Sequence, residues 1–149
     1  MYELVKAAKD TYYIESPSKM GLFTGGGGAV LIDSGNGKDA AKKALRHLTE
    51  NGWALKMILN THCHADHIGG NAYLLAQTGA AAYAAGICAA FARSPELGLG
   101  MLYVGFPPKE LKNRMMLAEP SAVGDVSKAV LPEGMTLLPL PGHCPDMFG

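Results

Sequence analysis

Cysteine is scarce in this sequence: there are three, an odd number, and no two form a C-x-x-C pair. Such a set argues against a disulfide framework and fits a reducing compartment, so a cytoplasmic location is expected. An excess of either charge is also missing, since thirteen basic residues balance thirteen acidic ones. A neutral chain offers no electrostatic ground for a nucleic-acid partner. No apolar run approaches the roughly 20 residues of a membrane span. The opening MYELVKAAKD holds no apolar stretch of signal-peptide type, so neither membrane nor secretory targeting is expected. The longest stretch of low polarity, Gly79 to Phe91, is mostly alanine and reads as small-residue packing. With 48% hydrophobic residues in 149, the chain has material for one domain with a real core.

Thr11 to Ile14 and Val30 to Ile32 are short β-branched or aromatic runs that read as strands, with the turn Gly25-Gly26-Gly27-Gly28 between them. No Gly-Lys-Ser/Thr follows the four glycines, so they read as a connection and not as a phosphate cradle. Beyond Asp33-Ser34-Gly35-Asn36-Gly37, the residues Ala41, Ala44, Leu45 and Leu48 fall at i, i+3, i+4 and i+7 and predict a helix. Asp39 suits its first turn and Gly52 its end. His47 lies among the charged residues of that helix and reads as a surface histidine. Met57-Ile58-Leu59 suits a strand covered on both faces, and a helix is expected from Gly70 to Gln77. Thr136 to Leu140 is a further apolar run, and Pro139 within it points to an edge or irregular strand. Three strand-like runs thus end in polar residues: Asp33, the cluster from His62, and His143. Active sites of α/β folds gather at the carboxyl ends of strands, so these endings can converge.

Residues 61 to 71 read THCHADHIGGN, and four of the five histidines stand here or at position 143. Imidazole and carboxylate are the ligands that zinc, iron and manganese take. Residues two apart in an extended loop face the same way, so His62 and His64 can grip one ion while Cys63 and Ala65 turn away. Asp66 and His67 lie where the chain turns into the next helix and can face a second ion. Gly69 and Gly70 let the backbone approach closely. Four ligand-type residues in six positions predict metal binding.

The motif His62-Cys63-His64-Ala65-Asp66-His67 resembles the H-x-H-x-D-H signature of the metallo-β-lactamase superfamily, and the surrounding Thr61 and Gly69-Gly70-Asn71 resemble its hydrolase branches, including glyoxalase II-like enzymes. Leu31-Ile32-Asp33-Ser34-Gly35 resembles the family's L-I-D-T-G, and Pro141-Gly142-His143 its P-G-H; the matches run in order over about residues 12 to 149. The resemblance implies an α/β architecture, an αββα sandwich of two similar halves. It implies His62, His64 and His143 at a first metal, Asp66 and His67 as part of a second, and Asp33 as a brace and not a ligand. Zinc, one or two ions, is the implied cofactor, with iron or manganese as alternatives. A metal-activated hydroxide would attack the substrate, with Asp66 as the catalytic carboxylate that orients it and carries a proton. The family pattern continues past the P-G-H strand with a bridging aspartate and a last histidine, which have no counterpart here; Asp146 stands too near His143 for the bridging role. Residues 1–149 are therefore expected to be the N-terminal portion of the domain: the first half plus part of the second.

The expected function is metal-dependent hydrolysis of a small ester, thioester, lactone or amide, so a small molecule is the expected partner; a homo-oligomer is compatible. An alternative is a mononuclear iron oxygenase that resembles persulfide dioxygenases. Another is a non-catalytic metal- or partner-binding fragment. The thiols of Cys63 and Cys144 are expected to point away from the metal, and Cys88 to be a small core residue. Met101, Tyr103, Phe106, Met115 and Met116 read as ordinary packing or an oligomer contact, with a substrate wall as the competing reading.

Overall fold

The computed structural model describes residues 2–113 and 115–149, without the side chain of Leu111. Seven strands form one sheet whose spatial order is the chain order: β1 Glu3–Lys6, β2 Thr11–Glu15, β3 Met20–Phe23, β4 Ala29–Ile32, β5 Leu55–Leu59, β6 Ala81–Ala84 and β7 Val123–Asp125. The first four are antiparallel neighbours. From β4 to β7 the strands run parallel, each pair joined by helical crossovers. A parallel pair needs such a crossover because a tight turn can only reverse the chain.

Helix α1, Lys38–Glu50, makes the first crossover, burying Ala40, Ala41, Ala44 and Leu48. Its small alanines let α3, Asn71–Thr78, pack directly against it. Gly52, at φ +70°, turns the chain out of the helix into a conformation that side chains disfavour. A one-turn helix α2, Ala65–Ile68, precedes α3, and α4, Gly86–Arg93, and α5, Glu96–Leu102, follow β6. The main core joins Ile14, Met20, Leu22 and Leu31 of the sheet to Leu48, Ile68 and Leu74 of the helices. Each large side chain fully removed from water there contributes about 1.5–3 kcal/mol.

The sheet corrects two expectations. The four-glycine turn joins β3 to β4, because a strand at Met20–Phe23, not anticipated, pairs with both β2 and β4. The alanine-rich stretch holds both β6 and α4, since Ala82 and Ala84 are buried between neighbours where little room exists for larger side chains. The run from Thr136 takes the irregular form that Pro139 favours: it makes a single bridge to Phe148, with Leu138 and Gly149 exchanging backbone hydrogen bonds.

Candidate metal centre

β4 ends at Ile32, and Asp33 takes a left-handed conformation, φ +62°. Aspartate tolerates that region better than most side chains because its short carboxylate bonds locally. The turn directs the carboxylate, buried at 4% exposure, across to the end of β5. There Oδ1 accepts the Thr61 backbone N–H at 2.8 Å and Oδ2 the Thr61 hydroxyl at 2.8 Å. Oδ2 also accepts from His67 Nδ1 at 2.7 Å. Asp33 is thus the brace the resemblance implied, tying two strand ends to the ligand loop. Ser34 adds a second tie: its backbone N–H donates to the His67 carbonyl at 2.7 Å, and its hydroxyl accepts from Gly70 N–H at 3.1 Å.

This network assigns protons. The Thr61 hydroxyl has one proton and donates it to Asp33, so His62 Nδ1, 2.9 Å from the same oxygen, must be the donor to Thr61. The lone pair of His62 then sits on Nε2. That atom is buried and has no hydrogen-bond partner among the described residues. It points into the space shared with His64 and His143, whose ring centroids lie 4.8 and 4.9 Å from that of His62. The ligand atoms of His62, His64 and His143 all lie within 4.8 Å of one another. His64 Nδ1 and His143 Nε2 are 3.1 Å apart. Zinc–nitrogen bonds of 2.0–2.1 Å in a tetrahedron place neighbouring ligands about 3.3–3.4 Å apart. The three imidazoles therefore fit a single ion, and the orphaned buried lone pair is the atom that such an ion would satisfy.

Asp33, His62 and His67 form a second close group that shares His62. Asp66 Oδ2 lies 3.4 Å from His67 Nε2, so the two residues expected at a second metal stand together. Ser18, in the turn between β2 and β3, donates its hydroxyl to Asp66 Oδ2 at 2.7 Å. Nothing in the sequence marked Ser18, whose tie to Asp66 spans two strand connections. Asn60, at the end of β5, and Asn71, at the start of α3, were also unmarked as a pair. They are fully buried and exchange amide hydrogen bonds at 2.7 and 3.3 Å.

Burial, and then the charge of His67, push the pKa of His62 down to about 4, outweighing the pull of Asp33. Burial and His143 lower His64. These rings are neutral at physiological pH, the form in which imidazole binds metal. For His67 burial opposes the charge, but the hydrogen bond and charge of Asp33, helped by Asp66, raise its pKa overall. For Asp66 burial works upward, yet the Ser18 hydroxyl and His67 bring the pKa below its ordinary value.

Asp146 is occupied elsewhere: its Oδ2 accepts the Ile87 N–H at 2.8 Å, at the start of α4. His47 donates Nε2–H to the Tyr2 carbonyl at 2.8 Å, away from the histidine cluster. Cys63 packs toward the core and Cys88 is buried in it, as expected. Cys144, expected to turn away from the ligands, instead puts Sγ 3.8 Å from His64 Nε2. A cleft of about 590 Å³ opens beside His64 and Asp66. Met101, Met115 and Met116 line it, whereas Tyr103 and Phe106 do not; Phe106 lies under the Lys112 ammonium at 4.1 Å.

A mixed sheet with an imidazole cluster at the carboxyl ends of its parallel strands is the scaffold of the metallo-β-lactamase fold. The chain belongs to the metallo-β-lactamase superfamily, whose family model matches residues 13–148. A curated relative, a hydroxyacylglutathione hydrolase of Methylococcus capsulatus, is 43% identical over 56 residues, 34% of this chain and 22% of that protein. Among solved structures, the metallo-β-lactamase SMB-1 in complex with mercaptoacetic acid superposes at a TM-score of 0.74 with 21% identity, covering 98% of this chain and 56% of its own. MEM-A1, a subclass B3 metallo-β-lactamase from a soil metagenome library, gives 0.73 with 25% identity, covering 98% and 55%. BJP-1 of Bradyrhizobium japonicum, also of subclass B3, gives 0.73 with 20% identity, covering 99% and 55%. The chain spans about half the length of these solved relatives. No helix among the described residues is long and apolar enough to cross a membrane.

Proposed function

We propose that the whole protein is a metal-dependent hydrolase of small acyl compounds: esters, thioesters, lactones or amides. The observation that carries this reading is the buried, unpartnered Nε2 of His62, facing His64 and His143. Zinc suits this donor set, because three imidazoles leave a fourth position open, as catalytic zinc sites do. His62, His64 and His143 would hold the first ion, and Asp66 with His67 would contribute to a second. An ion so held supplies Lewis acidity, lowering the pKa of a water from ~15.7 toward ~7 and polarising a substrate carbonyl.

The remaining chemistry belongs to the chain. Asp66, ionised and oriented by Ser18, faces the cleft and is placed to accept a proton from the attacking water and pass it to the leaving group. Asp33 and Thr61 hold His62 in the tautomer that offers Nε2, an arrangement that tunes ligand histidines generally. The apolar lining next to His64 favours an acyl group without charge. The likeness to a hydroxyacylglutathione hydrolase brings thioesters to the front of the substrate panel.

The test is elemental analysis of protein purified without chelator, followed by a panel of thioesters, esters and lactones. Bound zinc with hydrolysis that Asp66→Asn abolishes is expected. Iron with oxygen uptake and no hydrolysis would overturn the proposal in favour of the oxygenase alternative.

A further inference from the structure

The cleft of about 590 Å³ that includes His64 and Asp66 is closed on its other sides by α4, α5 and residues 115–118. Its volume falls within the roughly 300–1,000 Å³ of small-molecule sites. Part of the lining is fixed: Cys88 of α4, Leu99 of α5 and Ala118 are buried. The rest is not. Met101 is 65% exposed and Met115 60%, and Leu102 and Met116 are exposed with them. Core packing does not use these four side chains, so it does not explain why they are apolar. A contiguous apolar surface left in water marks a place where something binds.

Two polar contacts hold this wall in place. Lys112 Nζ lies 3.0 Å from Glu96 Oε1, which ties the segment after α5 back to the first turn of that helix. Asn36 Nδ2 donates to Met115 Sδ at 2.9 Å, which fastens Met115 to the connection between β4 and α1. Apart from the Cys88 thiol, the side chains that α4, α5 and residues 115–118 give to the cleft are aliphatic, aromatic or thioether. Its imidazole and carboxylate come from the ligand loop. A molecule whose carbonyl meets that loop therefore lays its remainder on apolar surface. Methionine, unbranched and polarizable, adapts its shape to a flexible apolar guest.

We propose that the cleft selects its substrate by an apolar acyl chain of medium length, gripped by Met101, Leu102, Met115 and Met116. The inference rests on the acyl-hydrolase reading above and adds which acyl group is taken. An acetyl group reaches little of a cleft this size, whereas a longer chain covers the exposed wall. Each methylene moved from water onto that wall strengthens binding, so chain length is the property the cleft reads.

The metal-free chain, labelled with carbon-13 at the methionine methyls, is titrated with methyl n-alkyl ketones from propyl to nonyl. These are neutral, present a carbonyl and a chain, and are not hydrolysed, so neither metal nor turnover enters the measurement. The methyls of Met101, Met115 and Met116 are expected to shift, while those of Met20 on β3 and Met57 on β5 stay. Affinity should rise roughly two- to fourfold per methylene, the upper figure being the ~0.8 kcal/mol of full burial. Met101→Asp and Met115→Asp, at exposed positions where folding is not at risk, should flatten the series. Affinity independent of chain length, or shifts at Met20 and Met57 as large as at the wall, would overturn the proposal. So would shifts of the three wall methyls on simple dilution of the ligand-free chain, which would make the wall a contact between copies. The zinc-loaded chain is then given N-acetylcysteamine thioesters of the same chain lengths. Hydrolysis of none, with the ketone series intact, overturns the hydrolase reading and not the chain-binding cleft; hydrolysis equally fast at every length overturns the selection proposed here.

Discussion

Replacing Asp33 by alanine removes the acceptor for three donors at once, and the outcome can be estimated from the geometry. Thr61 N–H, the Thr61 hydroxyl and His67 Nδ1 all lie 2.7–2.8 Å from its carboxylate oxygens. The side chains of His67 and Asp33 are only 24% and 6% exposed, so water cannot readily replace the lost acceptor. Breaking such a buried, hydrogen-bonded pair from one side costs about 3–5 kcal/mol. For a chain of this size that lowers Tm by roughly 6–20 °C. The assay is thermal unfolding followed by circular dichroism in excess chelator, with Asp33→Asn as the control that keeps the left-handed turn and one acceptor. The pH dependence has a definite sign. The folded pKa of His67 is raised above its ordinary 6.5, so its contribution is complete below 6.5 and is lost as pH rises through the folded value. The gap between wild type and Asp33→Ala should therefore be wider near about pH 5.5 than near about pH 9. A loss no larger than the ~0–1 kcal/mol of an exposed ion pair, or a gap that widens with pH, would refute the brace.

His62 should act in the opposite direction. Its pKa falls from 6.5 to about 4 on folding, so metal-free protein should lose stability, of order 3 kcal/mol, as pH drops through that interval; urea midpoints across it would read this. His143→Ala should weaken the first zinc by more than the ~10–100-fold typical of losing a partner behind a ligand, measured by competition with a chromophoric chelator. Ser18→Ala should leave zinc stoichiometry unchanged while lowering kcat, since it frees the Asp66 carboxylate; unchanged kcat would remove Ser18 from the proposed mechanism. Gly70→Ala should destabilise by at least about 1–3 kcal/mol in chemical denaturation, because a Cβ there collides with the Ser34 carbonyl oxygen and crowds Ala41.

Legibility in the sequence followed the range of the interactions. Helix α1 declared itself through a one-sided apolar pattern and a stop glycine, all local features, and it runs Lys38–Glu50. The histidine cluster was legible because four ligand-type residues crowd into six positions. Asp33 was readable as a brace through the family resemblance alone, since its partners lie 28 and 34 residues away and by itself it reads as a strand-end turn residue. β3 escaped notice since Met20-Gly21-Leu22-Phe23 shows no alternation and its hydrogen bonds depend on two neighbours the sequence does not place. β6 hid in alanine for the same reason: its identity comes from pairing with β5 and β7, not from propensity. Ser18 and the Asn60–Asn71 pair carry no local pattern, as each is defined by a contact made only after the sheet forms. That Cys63, Cys88 and Cys144 all line one cleft was invisible in spacing, because β6 lies between the first two and β7 between the last two.

The match between strand order and chain order bears on how the molecule is made. Each new strand can add to the edge left by the one before, so the sheet can grow on the ribosome without waiting for a distant partner. The ligand loop is anchored by Asp33 and Asn60, both of which leave the exit tunnel before it. His143 arrives last, some 4–15 s after His67 at ordinary synthesis rates. Through that interval the nascent chain presents two of the three imidazoles of the cluster, so an ion that needs all three would be held tightly only once nearly the whole segment is folded.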